Sequence, residues 1–285
     1  MRKILITGSN GQLGRAINQI YATDSSIKLI NTDLVNAIPL DITNTIETMD
    51  FVKSENPDVI INCAALTAVD LCETEIESAY KINAIGPRNL SIAANEVGAK
   101  MVHISTDYVF SGDASKPYTE FDVPNPQSVY GKTKLEGEEF VKQFAEKYFI
   151  IRTAWLYGDG KNFIKTMLGL AEKNDKVRVV SDQVGSPTSA DQLAQAIAYL
   201  LPTENYGIFH GTCEGVCSWA DFAEEIFKLY GKNVKVEHIT TDQYPTPARR
   251  PKYSVLDNYM FKLTSDYKFA DWKDALISYM EKEQK

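Results

Sequence analysis

Short apolar runs alternate with amphipathic stretches of helical spacing over the first half of the chain. Ile4-Leu5-Ile6-Thr7 is a β-prone run. Leu13, Ile17 and Ile20 then recur on one helical face, and Lys28-Leu29-Ile30-Asn31-Thr32 returns to strand character. Further strands are predicted at 58–62, 101–105 and 148–152. Helices are predicted between them near 44–55, 73–83, 86–97 and 129–146, with a break at Gly86-Pro87. Strands separated by helices of this length predict a doubly wound, parallel α/β sheet. Beyond Tyr157 the texture changes. Helices near 162–174, 189–201, 218–230 and 271–282 mix with short strands at 177–180, 207–210 and 234–237 and a Pro-rich loop at 244–251. The expected organisation is a nucleotide-binding domain over 1–157, rejoined by about 187–213. A smaller mixed α/β substrate lobe takes 158–186 and 214–285.

The first strand feeds directly into Gly8-x-x-Gly11-x-x-Gly14, and the helix carrying Leu13 follows at once. Strand, glycine turn and helix in this order form the dinucleotide cradle of a Rossmann sheet. The first Gly allows the tight turn, the second admits the pyrophosphate to the backbone, and the third lets helix and strand pack closely. Asp33 ends the second strand, 19 residues past Gly14, where a carboxylate can accept both hydroxyls of an adenosine ribose. That carboxylate would repel a 2′-phosphate, so NADH is the expected cofactor; Arg15 beside the turn keeps NADPH open.

A chain of 285 residues with 44% hydrophobic positions can bury one large core, or one core plus a smaller lobe. The formal charge of −8, with no basic block, argues against a nucleic-acid partner. No apolar run approaches the roughly 18 residues of a membrane span, and no signal peptide is evident, so a cytoplasmic setting is expected. Four cysteines (63, 72, 213, 217) and three histidines show no metal-ligand spacing; reduced thiols and no metal are expected.

The chemistry concentrates in Val129-Tyr130-Gly131-Lys132-Thr133-Lys134. Tyr and Lys four apart on a helix share a face. An ammonium beside a phenol is expected to lower its pKa and make it a usable proton donor to a carbonyl. Tyr157 and Lys161 repeat the spacing, but glycines 158 and 160 place them in a loop, where the shared face is lost. Ser105-Thr106-Asp107-Tyr108 follows a predicted parallel strand, where doubly wound sheets bind ligands, so Thr106 can polarise the same carbonyl.

These segments, with Asn62–Asp70, Arg152–Gly158, Asp182–Thr188 and Arg249-Arg250-Pro251, resemble the extended short-chain dehydrogenase/reductase family over essentially the whole chain. Within it they look like the branch that reduces 4-keto sugar nucleotides. The resemblance implies a catalytic set of Thr106, Tyr130 and Lys134. It implies cofactor contacts at Gly11, Gln12 and Leu13, at Asp41 and Ile42, and at Ala64, Ala65 and Leu66, with Tyr130 and Lys134 also touching the cofactor. Trp155 would pack on the sugar, Thr106, Asp107 and Tyr130 would contact it, and Arg249 and Arg250 suit the substrate diphosphate. Some members bind an interface metal through acidic residues. Here Asp191 stands without an evident carboxylate partner, so the metal is not carried over, and the oligomeric state is not readable.

The implied reaction is NAD(P)H-dependent reduction of the C4 keto group of a dTDP-linked 4-keto-6-deoxy sugar. Dehydratases of the family usually carry Asp-Glu after the threonine; Asp107-Tyr108 lacks the second acid. Two other readings stay open: an NAD-dependent epimerase, and a non-catalytic NAD(P)-binding subunit resembling the methionine adenosyltransferase beta subunit. The intact Thr106/Tyr130/Lys134 set argues against the latter.

Overall fold

The computed structural model describes residues 1–283. Its first half runs β1 (Arg2–Thr7), α1 (Gln12–Tyr21), β2 (Ile27–Asp33), β3 (Ile38–Pro39), α2 (Thr45–Glu55) and β4 (Val59–Asn62). It continues with α3 (Val69–Cys72), α4 (Ile76–Tyr80), a π-helical turn (Lys81–Ile85), α5 (Gly86–Glu96), β5 (Lys100–Thr106), α6 (Val129–Phe144) and β6 (Tyr148–Thr153). Seven parallel strands form one sheet, ordered with the strand Gly207–His210 at one edge, then β6, β5, β4, β1, β2 and β3. The predicted doubly wound Rossmann sheet is present, and the strand at 207–210 joins it beside β6.

Alternation along the strands explains the two layers. Ile4, Ile6, Val59 and Ile61 pack against α1 and the helix Ala190–Leu200, whereas Leu5, Ile60, Met101 and Ile150 face α2, α5 and α6. Each such side chain, fully withdrawn from water, contributes about 1.5–3 kcal/mol.

The expected break at Gly86-Pro87 does not occur. The Gly86 N–H reaches Lys81 O five residues back, so the chain passes through a π turn into α5. Pro87 falls in the first turn of α5, where its missing N–H goes unmissed. The region predicted as one helix over 73–83 is instead divided between α4 and that turn, after a break at 73–75.

A second core lies under the helices Phe163–Ala171, Trp219–Leu229 and Trp272–Glu283, where Ile164, Phe222, Ile226 and Leu276 meet. A parallel pair, Lys176–Val180 with Lys235–Ile239, closes it. The helix Tyr259–Thr264 was not expected; six residues carry too little periodicity to show one. All four cysteines are free, and no described helix is long and apolar enough to cross a membrane.

Candidate active site

The chain leaves β1 toward β2 and β3 on one side and toward β4, β5 and β6 on the other, so a crevice opens at the carboxyl ends of β1 and β4. The glycine turn lies there. Gly8 has φ +64°, and a Cβ on it would sit 2.7 Å from Ala64 N. A Cβ on Gly14 would sit 2.6 Å from the Gly8 oxygen and from Ser9 backbone. Gly11 meets only the Gly8 oxygen and caps α1 without a side-chain bond, leaving the first helical turn for an incoming anion. Ser9 Oγ and Gln12 Oε1 are buried without a partner among the described residues. Glycine cradle, open helix start and orphaned polar atoms fit a dinucleotide. Gly14→Ala is expected to raise the Kd for NADH roughly tenfold, because the backbone must shift; fluorescence titration measures it.

Asp33 ends β2 beside the turn: Asn10 N donates to its Oδ2 at 3.1 Å and Leu34 N to its Oδ1 at 2.8 Å. Asp41 is exposed and accepts from Thr43 N and Oγ1 at 2.9 and 2.8 Å. The Ile42 side chain packs in the core beneath Gly86, and its carbonyl oxygen accepts from Asn89 Nδ2 at 2.9 Å. Asn83, in the π turn, accepts from Leu66 N at 2.8 Å and donates to Leu66 O at 3.1 Å and to Thr133 Oγ1 at 3.2 Å. It thereby ties the 64–66 loop to α6. A π turn at such a place is a frequent mark of a functional site.

A cleft of about 590 Å³ runs from the glycine turn into the second lobe. Gly11, Gln12, Leu13, Gly14, Ala65, Thr106, Asp107, Tyr130, Lys134 and Trp155 all line it. β5 delivers Thr106, whose Oγ1 donates to Asp107 Oδ1 at 2.9 Å. Ser128 caps α6 by accepting from Gly131 N at 3.1 Å, which fixes where Tyr130 and Lys134 begin. The Tyr130 ring meets the edge of Tyr108 at 5.5 Å.

One expectation is overturned. Lys134 does not lower the Tyr130 pKa; burial raises it, with the Thr106 hydroxyl pulling the other way. The Lys134 ammonium donates instead to Ile104 O at 2.6 Å. Burial pushes Lys134 itself down to about 8, with Glu138 opposing. Tyr130 is thus kept as a neutral phenol, the form a proton donor needs. Burial lifts Asp107 to about 6, and its Oδ2 has no partner among the described residues.

Farther along the cleft, Trp155 adopts φ +48°, uncommon for a bulky residue and a sign of a constrained position. Its indole stacks on Trp219 at 3.6 Å, and Gly185 approaches so closely that a Cβ would lie 2.6 Å from the ring. Arg249 and Arg250 line a neighbouring hollow of about 330 Å³, and Arg250 touches the main cleft's wall at Tyr108. Arg250 donates to Asp70 Oδ2 at 2.7 Å and to Tyr108 OH at 3.1 Å, and Arg249 pairs with Asp113 at 3.2 Å. Asp191 pairs with a cation, Lys282, at 2.8 Å. Tyr157 lies in a short strand with its ring buried, and shares no helix with Lys161. Sequence reasoning did not single out Trp219, which lines the cleft, or Asn83 and the Glu138–Arg152 pair, which lie behind it. Glu138 alone left a signal, an acid four past Lys134 on the buried helix face.

A parallel doubly wound sheet with a Tyr-x-x-x-Lys helix facing its glycine turn defines an oxidoreductase of the extended short-chain dehydrogenase/reductase class. The family model described as RmlD substrate binding domain matches residues 1–285, and the chain belongs to that family. It is similar to a crystal structure of a dTDP-4-dehydrorhamnose reductase from Clostridium acetobutylicum, with 55% identity, TM-score 0.96 and coverage of 99% of this chain and 100% of that one. The Bacillus anthracis dTDP-4-dehydrorhamnose reductase in complex with NADP shows 41% identity, TM-score 0.95 and the same coverage. The spore coat polysaccharide biosynthesis protein SpsK of Bacillus subtilis is 38% identical over 283 residues, 99% of this chain and 98% of that protein.

Proposed function

We infer that this chain reduces the C4 keto group of dTDP-4-dehydro-L-rhamnose, or a close 4-keto-6-deoxy sugar nucleotide, for polysaccharide synthesis in the cytoplasm. The observation that carries this is the meeting of Thr106, Tyr130 and Lys134 with the glycine turn in one cleft. Residues 1–157 and about 187–213 would hold the cofactor, and 158–186 with 214–285 the sugar nucleotide. Bound NADH or NADPH supplies the hydride. Gly11, Gln12 and Leu13 would hold its pyrophosphate, Lys134 its ribose, and Asp41, Ile42, Ala64, Ala65 and Leu66 the two ends. Asp33 suits NADH, whereas the Bacillus anthracis relative is complexed with NADP, so the reading is NAD(P)H.

Each remaining step belongs to the chain. Thr106 polarises the carbonyl, and Tyr130 gives its phenolic proton to the C4 oxygen as negative charge develops there. Asp107 and Trp155 orient the sugar. Arg249 and Arg250 can take the diphosphate by exchanging Asp113 and Asp70 for phosphate oxygens, which match a guanidinium fork.

The test is loss of reduced-nicotinamide absorbance with a panel of 4-keto nucleotide sugars. Stoichiometric consumption with a dTDP-linked 4-keto-6-deoxy sugar is expected. Conversion with no net consumption would indicate an epimerase. Cofactor binding without oxidation of any panel member would indicate a regulatory subunit.

A further inference from the structure

Behind Tyr130 and Lys134, between α6 and the sheet, lies an ion pair that the reaction as described does not use. The Glu138 and Arg152 side chains are 0% and 3% exposed. Arg152 Nη2 donates to Glu138 Oε2 at 2.7 Å and its Nε to Oε1 at 2.9 Å, while Ser105 Oγ donates to Oε1 at 2.5 Å. Each member adjoins a cleft residue. Ser105 precedes Thr106, Glu138 follows Lys134 by one helical turn, and Arg152 lies near the end of β6, three residues before Trp155. A buried ion pair is a poor source of stability, because desolvation offsets most of the attraction. Its position therefore calls for another use.

Resting on the reductase reading above, we propose that Glu138 is a positioning residue of the reductive step: fixed by Ser105 and Arg152, its carboxylate holds Lys134 as an ammonium and keeps α6 in register with β5. Tyr130 and Glu138 share α6 with Lys134; Cys63 faces it from the loop after β4 and His103 from β5, and Arg152 on β6 stands on the far side of Glu138. Burial pushes the Cys63 thiol up to about 12 and His103 well below its ordinary value, so both are neutral near pH 7. Glu138, one helical turn along α6, is the group that opposes the desolvation of Lys134. Its two partners bind it to β5 and β6 at once, so a shift of α6 along the sheet would break four hydrogen bonds inside the protein.

The experiment compares wild type with Glu138→Gln, Glu138→Asp and Arg152→Met, reading kcat against pH, cofactor Kd, thermal midpoint and the ionisation of Lys134. That ionisation is read from carbon-13-labelled lysine Cε shifts, independently of turnover. Activity that needs the ammonium falls as pH rises through about 8 in the wild type. Glu138→Gln moves that limb, and the Lys134 titration, down by roughly one pH unit. Arg152→Met strips the carboxylate of its guanidinium hydrogen bonds and lowers the thermal midpoint. Glu138→Asp keeps the limb near its place while lowering the thermal midpoint. Lowered midpoints with Lys134 titrating as in the wild type throughout would overturn the proposal and leave a structural brace. If the wild type reduces no 4-keto sugar, the reductase reading has failed, and the lysine titration still decides the role of Glu138.

Discussion

Tyr130→Phe is expected to lower kcat by roughly 10²- to 10⁴-fold, the usual worth of a positioned acid, while cofactor Kd stays within about twofold. The substitution removes one oxygen and keeps the ring, its burial and its edge contact with Tyr108. What is lost is the proton aimed at the developing charge on the C4 oxygen. Burial makes the assignment more pointed, because it raises the phenol's pKa and keeps Tyr130 protonated across the whole working pH range. The hydroxyl therefore starts every cycle as a donor, and its proton must return from solvent or a neighbour afterwards. Cofactor oxidation under saturating substrate and a separate fluorescence titration check both halves. Turnover near the wild-type value would remove Tyr130 from the reaction.

Much of this site was legible because its chemistry is local. Gly8, Gly11 and Gly14 act within one turn, Tyr130 and Lys134 within one helical turn, and Thr106 at the end of one strand. Each is fixed by backbone geometry that a short window of residues already dictates. What stayed hidden depends on contacts far apart in the chain. Trp219 matters only because the second lobe lays it on Trp155, 64 residues earlier in sequence. Asn83 matters because a π turn aims it at Leu66 and Thr133. The direction of the Tyr130 shift failed for the same reason: helical spacing sets which face Lys134 occupies, but tertiary packing sets how dry the phenol is and which oxygen the ammonium meets. The arginines were readable as a charged pair and not as partners of Asp70 and Asp113, since those acids lie more than 130 residues away.

Gly131→Ala should act against helix propensity, and this makes it a sharp test of how α6 is seated. In an exposed helix interior, Ala is favoured over Gly by about 1 kcal/mol. Gly131, however, lies against the Tyr108 carbonyl oxygen and Pro126, and a Cβ there would fall deep inside contact distance of that backbone oxygen. Neither neighbour is the free end of a flexible side chain, so the start of α6 must recoil by about an ångström, at an overpacking cost of about 1–3 kcal/mol. The recoil carries Tyr130, the preceding residue, away from Thr106, and a misplacement of that size costs on the order of 10²-fold in rate. A control is available in the same fold. Gly169, inside the helix Phe163–Ala171, has nothing within 4 Å of a built Cβ. Gly169→Ala should therefore raise the thermal midpoint with kcat unchanged, whereas Gly131→Ala should lower both. If Gly131→Ala were as stable and as fast as the wild type, close packing of α6 on the Tyr108 backbone could not be what places the phenol.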